Sequence, residues 1–353
     1  MDNIFDYVKK YGDYSFKEKK FNECDNLVLC ALFYLDFSKT SIHKGTYTLD
    51  VIAQELVSNY DFKDISKRGM AQRNAYILFK LVMTKARYKK IVLSDYVYET
   101  SRTKQFGAIT YKINKNLSYI CFEGTDELVS GWREDGELAC KFPVEAQKCA
   151  IDYVNEHVTL FGPNVIIGGH SKGGNLALIS AMYTKPYKQF KIKKVYSNDG
   201  PGLRKKEFES KEYAKIKNKY IHIVPENSVV GVLLRNDTYK VVKATKNNII
   251  SHSICTWIIN DNKLVEGTMT DKSKRLEASV LSWLDMHNDE EREKVVRTLF
   301  GILENAKITT IPNIKKLDSI GKIIQNINNI DKQTKDLLLD LIVFNYKNVS
   351  DLF

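Results

Sequence analysis

The chain has 353 residues, 43% hydrophobic and 27% charged, with 18 Gly and 6 Pro. That balance excludes collagen-like, mucin-like and disordered classes and supplies enough apolar side chains for a large core, in one domain with additions or in two. The formal charge of +11 in a lysine-rich chain suits anionic partners, yet no zinc-finger or RNA-binding signature accompanies it, so no specific nucleic-acid role is expected. No secretory signal pattern and no run of apolar residues long enough for a membrane span is found, so a cytoplasmic location is expected. Cys24, Cys30, Cys121, Cys140, Cys149 and Cys255 lack zinc-pair spacing and read as reduced, mostly buried small hydrophobes. No cofactor or metal is implied.

In chain order, apolar residues at helical spacing predict helices over 24–35 and 71–82. From about residue 107 the pattern changes to alternation. Strands are expected over 107–113 and 117–122, joined by the turn at 114–116, then a helix over 143–158 with Pro143 as its first residue. The middle cycles between periods: strand 165–168, helix 172–183, strand 192–197, helix 208–217, strand 220–224 and a last strand over 238–244. This cadence predicts a mostly parallel sheet covered on both faces. The basic runs 191–194 and 204–206 are expected to be solvated loops. After Trp257 the chain reads as helical, with Leu276, Val280, Leu281 and Leu284 on one stripe, a charge-dense helix start at 289–294, and amphipathic segments over 311–330 and 337–344.

The sharpest signal is VIIGGHSKGGNLA at 165–177, a G-x-S-x-G motif with Ser171 at its centre, flanked by a buried-strand pattern and a helix. A strand turning abruptly into a helix holds the serine in a strained conformation and lifts its hydroxyl above the sheet edge. Small residues are needed on both sides of such a turn. The helix start also aims free N–H groups at the place where an oxyanion would develop.

A serine hydroxyl needs a base to become a nucleophile near neutral pH. Among the six histidines, His170 lies inside the turn and is expected to pack or hydrogen-bond within it. His222 alternates within a strand, His287 lies in the helical C-terminal part, His43 precedes the core, and His157 closes a helix. His252, directly after the last predicted strand, is the expected base. For the acid, Asp199 opens the tight Asp-Gly-Pro-Gly loop after one strand and Glu226 ends the next. Asp199 is preferred, having fewer rotamers to immobilise in a rigid loop, and Glu226 is the alternative. Oxyanion donors are expected from Gly124 and Thr125 after an early strand and from the backbone N–H of Lys172. Trp132 and Trp257 are candidates to border the acyl-binding surface.

The stretches FNECDNLVLCALFYLDF, FEGTDELVSGWREDG, GGHSKGGNLA, NDGPG, IVPENSVVGVLL and SHSICTW together resemble the α/β-hydrolase superfamily, more narrowly a bacterial family related to class 3, or fungal-type, lipases, over residues 21–257. The resemblance implies an α/β-hydrolase core over 106–257. A helical N-terminal region, 1–105, would pack on or cover it, and a helical extension, 258–353, would follow. It maps the oxyanion turn onto Gly124 and Thr125, the nucleophile onto Ser171 and the base onto His252. The relatives' usual aspartate falls in the loop at 225–228, where this chain has Ser228; Asp199 or Glu226 must then supply the acid. The implied activity is hydrolysis of a small-molecule or lipid carboxylic ester through an acyl-enzyme, with peripheral membrane contact left open. The alternatives are a serine acyltransferase or thioesterase, and a non-catalytic scaffold or binding protein that keeps the fold.

Overall fold

In the computed structural model, residues 1–60, 64–65, 68–101, 104–125, 129–308, 332 and 334–337 are described. The N-terminal part carries α1 (Ile4–Tyr11), α2 (Glu23–Leu32), β1 (Tyr47–Thr48), α3 (Leu49–Asn59), α4 (Met70–Val82) and α5 (Ala86–Lys89), followed by β2 (Val92–Thr100) and β3 (Gln105–Asn114). The middle contains β4 (Leu117–Phe122), α6 (Val129–Glu137), α7 (Glu145–His157), β5 (Asn164–His170), α8 (Lys172–Met182) and β6 (Ile192–Asn198). There follow α9 (Lys205–Phe208), α10 (Lys211–Ile216), β7 (Tyr220–Pro225), β8 (Lys240–Val242), β9 (Ile259–Asn260), β10 (Lys263–Leu264), α11 (Asp271–Met286) and α12 (Asp289–Asn305).

Eight strands form one sheet in the order β1 to β8. Pairing is antiparallel from β1 to β4 and parallel from β4 to β8. Parallel strands need crossovers; α7, α8 and the α9–α10 pair supply those from β4 to β7, and the chain between β7 and β8 crosses without a helix. Both faces are covered, so the central strands are apolar on both sides. Ile166, Tyr119 and Cys121 face a cluster built from α1 to α4, while Val165, Ile167, Ile120 and Phe122 face one built from α7, α8 and α10. This is the α/β-hydrolase fold: a mostly parallel sheet between helical layers with its sharp turn after β5. Among the described residues no helix is long and apolar enough to cross a membrane.

The N-terminal helices start on matched capping boxes, Asn3 with Asp6 and Asn22 with Asp25, each pair satisfying orphan N–H groups reciprocally. Residues 1–105, expected to be helical, also contribute β1 and β2 to the sheet, and the boundary expected at 105/106 falls inside β3, just after its first residue. The periodicity of β2 was hidden by a register shift between Ser94 and Val97, where Asp95 takes a positive φ of 57°.

Other departures have local causes. Pro143 lies ahead of α7, whose start is set instead by the Gln147 side chain accepting from Val144 N–H at 3.0 Å. The helix expected over 208–217 is the shorter α10, whose start Ser210 caps by accepting from Tyr213 N–H at 3.2 Å, and α9 is a separate short helix ahead of it. Arg204 is not a solvated loop residue: it is paired to Glu207 at 2.8 Å. After Trp257 the β9–β10 hairpin precedes the helices. The expected segments over 311–330 and 337–344 lie outside the described residues apart from Leu337, which packs with Trp283 and Leu284. Helix α12 leans on α6, where Phe300, Leu303 and Val296 pack with Trp132.

Candidate active site

Ser171 stands between β5 and α8 at φ 56°, ψ −132°, a left-sided conformation that L-residues rarely adopt, and its N–H donates to Asn198 O at 3.0 Å. The flanking glycines are steric necessities. A Cβ on Gly169 would meet the backbone of Gly173 at 2.2 Å, and one on Gly173 would meet Phe122 O at 2.3 Å. Beneath the turn, Asn198 donates to Gly169 O at 2.9 Å and pairs with Asn26, which accepts from Tyr119 at 2.7 Å. A satisfied buried network of this kind fixes one backbone geometry.

His252 ends a one-turn 3-10 helix, Ile249–His252, capped by Asn248. Trp257, fully buried behind it, donates its indole N–H to Ser251 O at 2.9 Å. The His252 Nδ1 lies 2.6 Å from Asp199 Oδ2. Asp199 follows β6 at φ 49°, anchored by its N–H on Ile223 O at 2.7 Å. Its Oδ1 accepts from Ser228 Oγ at 2.5 Å and from Gly231 N–H at 3.1 Å. Position 231 must be glycine for this approach, since a Cβ there would lie 2.3 Å from the same oxygen. Glu226 turns elsewhere, accepting from Thr268 N–H at 3.2 Å. It is therefore not the partner of His252.

Next to the serine, Gly124 lies so close to Tyr34 and to His170 O, which a Cβ would meet at 2.2 and 2.6 Å, that no larger residue fits. Thr125 donates its hydroxyl to Asp135 Oδ2 at 2.6 Å. Burial pushes the Asp135 carboxyl up to about 6, against the pull of Lys172 and the Thr125 hydroxyl. Lys172 begins α8, so its N–H has no intrahelical acceptor. Its ammonium is buried, donating to Glu134 Oε2 at 3.0 Å and Gln105 O at 2.8 Å. Glu134 in turn accepts from Ala146 N–H at 3.0 Å and Gln105 N–H at 3.3 Å, binding α6, β3 and α7 to the turn. Ser171, His252, Thr125, Tyr34, Trp132 and His170 all line one cavity of about 170 Å³.

The model of the Mbeg1-like family matches residues 82–301, well over half of the chain. The chain belongs to the Mbeg1-like family. Among solved structures, the crystal structure of M37 lipase is 13% identical to it with a TM-score of 0.36, the alignment covering 88% of this chain and 100% of that one. No curated protein matches it.

In this Mbeg1-like chain the expected Ser171, His252, Thr125 and Trp132 meet at one cavity, with Asp199 directly behind His252 and Gly124 and Lys172 flanking the serine. Trp257, a candidate for the acyl surface, is instead a packing anchor under the His252 segment, because its indole N–H is committed to Ser251. Sequence reasoning missed Tyr34, Glu134, Asp135 and the role of Ser228. The W-R-E-D-G run carried no spacing rule that would have separated a buried pair from a solvated helix face. His170 does more than pack. Its Nε2 lies 2.7 Å from His252 O and its Nδ1 meets the Tyr34 hydroxyl. A carbonyl only accepts, so Nε2 carries the proton and Nδ1 accepts from Tyr34. Burial holds His170 well below the ordinary histidine range, reinforced by its neighbour His252. A neutral ring thereby ties the His252 segment to the turn that follows α2.

Proposed function

We propose that this protein is a serine hydrolase that cleaves carboxylic esters through a covalent acyl-enzyme, with Ser171 as nucleophile, His252 as base and then acid, and Asp199 as the carboxylate that orients His252. The observation carrying this reading is the 2.6 Å contact of His252 Nδ1 with a fully buried carboxylate, made beside a cavity that Ser171 shares. With Nδ1–H donated to Asp199, Nε2 is the nitrogen left to take the serine proton.

Attack of Ser171 Oγ on the ester carbonyl places negative charge on the carbonyl oxygen, which the N–H groups of Lys172 and Thr125 would hold. His252 then returns the proton to the leaving alcohol and draws a proton from water, whose oxygen attacks the acyl carbon; the bond to Ser171 Oγ breaks, His252 passes that proton to Oγ, and the acid is freed. Asp199 stabilises the imidazolium formed in both steps. The Glu134–Lys172 pair and the Thr125–Asp135 bond support the oxyanion side by fixing α6 and β3 against the start of α8.

The test is labelling with a fluorophosphonate together with turnover of p-nitrophenyl esters. The wild-type chain should label and hydrolyse. Ser171→Ala should lose labelling, and Ser171→Ala and His252→Ala should each lower kcat by about 10⁴-fold or more with the fold retained. A folded wild-type protein that neither labels nor turns over any ester would leave the non-catalytic scaffold as the reading.

A further inference from the structure

We propose that the cavity beside Ser171 is an acyl pocket for chains of up to about six carbons, making short-chain esters, not long-chain acylglycerols, the substrate class. This rests on the serine-hydrolase reading above. The cavity measures about 170 Å³. An apolar protein cavity of roughly 150 Å³ takes one benzene ring, a six-carbon guest.

The walls suit an apolar guest and give it little room to grow. Besides the polar residues of the site, Ala31, Met70, Ala71, Trp132, Ile249 and Ile254 line the cavity. Ala31 is 3% exposed on α2, a helix in which every residue from Cys24 to Leu32 is buried, and Ile254 is 2% exposed. Trp132 is backed by Phe300, Leu303 and Val296. Extending the pocket through any of these walls would displace close-packed side chains. On the remaining side Met70 and Ile249 are 38% and 39% exposed, so a longer chain passes between them into water, where further methylenes gain nothing.

A break in the acyl-length series follows. Each methylene that enters the pocket raises kcat/KM about threefold to fourfold, and each one beyond it leaves kcat/KM flat or lower. Ala71, near the start of α4, is the lining residue where added bulk consumes pocket volume without entering the fully buried α2. Leucine there should bring the break down by two to three carbons.

The experiment measures kcat/KM of the full chain on monomeric p-nitrophenyl acetate, butyrate, hexanoate, octanoate and decanoate, with active serines titrated by a short fluorophosphonate. The expected result is a rise to hexanoate and none beyond it, with Ala71→Leu, and more weakly Ala71→Val, breaking earlier. A rise that continues through decanoate overturns the proposal, as does an unchanged break in both folded variants. These outcomes leave Ser171 labelled. Absence of both labelling and turnover would instead remove the hydrolase reading and this pocket assignment with it.

Discussion

Two fully buried aspartates organise two regions of this protein in different ways. Asp25, in the N-terminal layer, accepts from Arg87 at 2.7 and 2.6 Å, from the hydroxyls of Tyr88 and Tyr7 at 2.8 and 3.2 Å, and from Asn22 N–H at 2.9 Å. The remaining guanidinium N–H groups reach the carbonyls of Tyr14, Ser15, Lys19 and Lys20, stitching that loop to α2. Asp199, at the sheet edge, is held by three donors, one of which is a histidine whose side chain is 21% exposed on the cavity. A guanidinium never gives up its proton, whereas an imidazole does so within the physiological range. The same buried carboxylate therefore makes a staple in one region and, under the proposed mechanism, a proton-transfer device in the other.

The sharpest way to break this comparison is to remove the charge of each aspartate system in turn. Asp199→Asn keeps acceptors for Ser228 and Gly231 but presents the wrong hydrogen-bond partner to His252. Ester turnover should fall about 10⁴-fold, measured as kcat, with little change in the urea midpoint. Arg87→Met strands Asp25 as an uncompensated buried charge and should cost about 3–5 kcal/mol of stability, read from urea denaturation. Fluorophosphonate labelling of the molecules that remain folded should be unchanged. If instead Arg87→Met slows labelling of folded protein while Asp199→Asn only destabilises, the division between staple and device is wrong.

A third buried group sharpens the contrast: Asp199 acts on it only through its charge, without the hydrogen bond it makes to His252. His222 lies between the rings of Tyr220 and Tyr239, and burial pushes it down to about 4. The folded protein therefore binds this proton less well than the unfolded chain, for which the value is about 6.5. The associated stability is present above that pH and is lost as pH falls from there towards 4, about 3 kcal/mol in all. His222→Phe should flatten this part of a stability–pH curve. Smaller still, Ser228→Ala removes one of two donors to Asp199 Oδ1 and should lower kcat about tenfold, a cost of roughly 1–1.5 kcal/mol. Glu226→Gln should leave kcat within about twofold, as a change outside the His252 network.

Much of the sheet was legible because buried parallel strands and their crossover helices impose two distinct periods, and β4 to β7 show both cleanly. Strand β2 was not, since Asp95 interrupts its alternation at a bulge. The Ser171 turn was legible for a different reason: its constraints are local, with Gly169 and Gly173 required by contacts made within a few residues or with the adjacent strand. The choice between Asp199 and Glu226 rested only on rotamer counting. Geometry separates them, through Gly231 allowing close approach to Asp199 and Thr268 engaging Glu226. Glu134 and Asp135, neighbours on α6, behave differently although their codes are adjacent: one is fully paired to Lys172, the other accepts from Thr125 and is pushed towards neutrality.

From its order of residues alone, this chain determined a doubly covered sheet, a strained serine directly after a buried strand and a late histidine, because period, turn chemistry and chain order are properties of neighbours along the backbone. Only the folded arrangement decided which carboxylate meets that histidine, which tryptophan lines the cavity and how large the cavity is. Those outcomes depend on side chains far apart in the sequence arriving at the same few ångströms, where burial and donor count, not residue type, set what each group does.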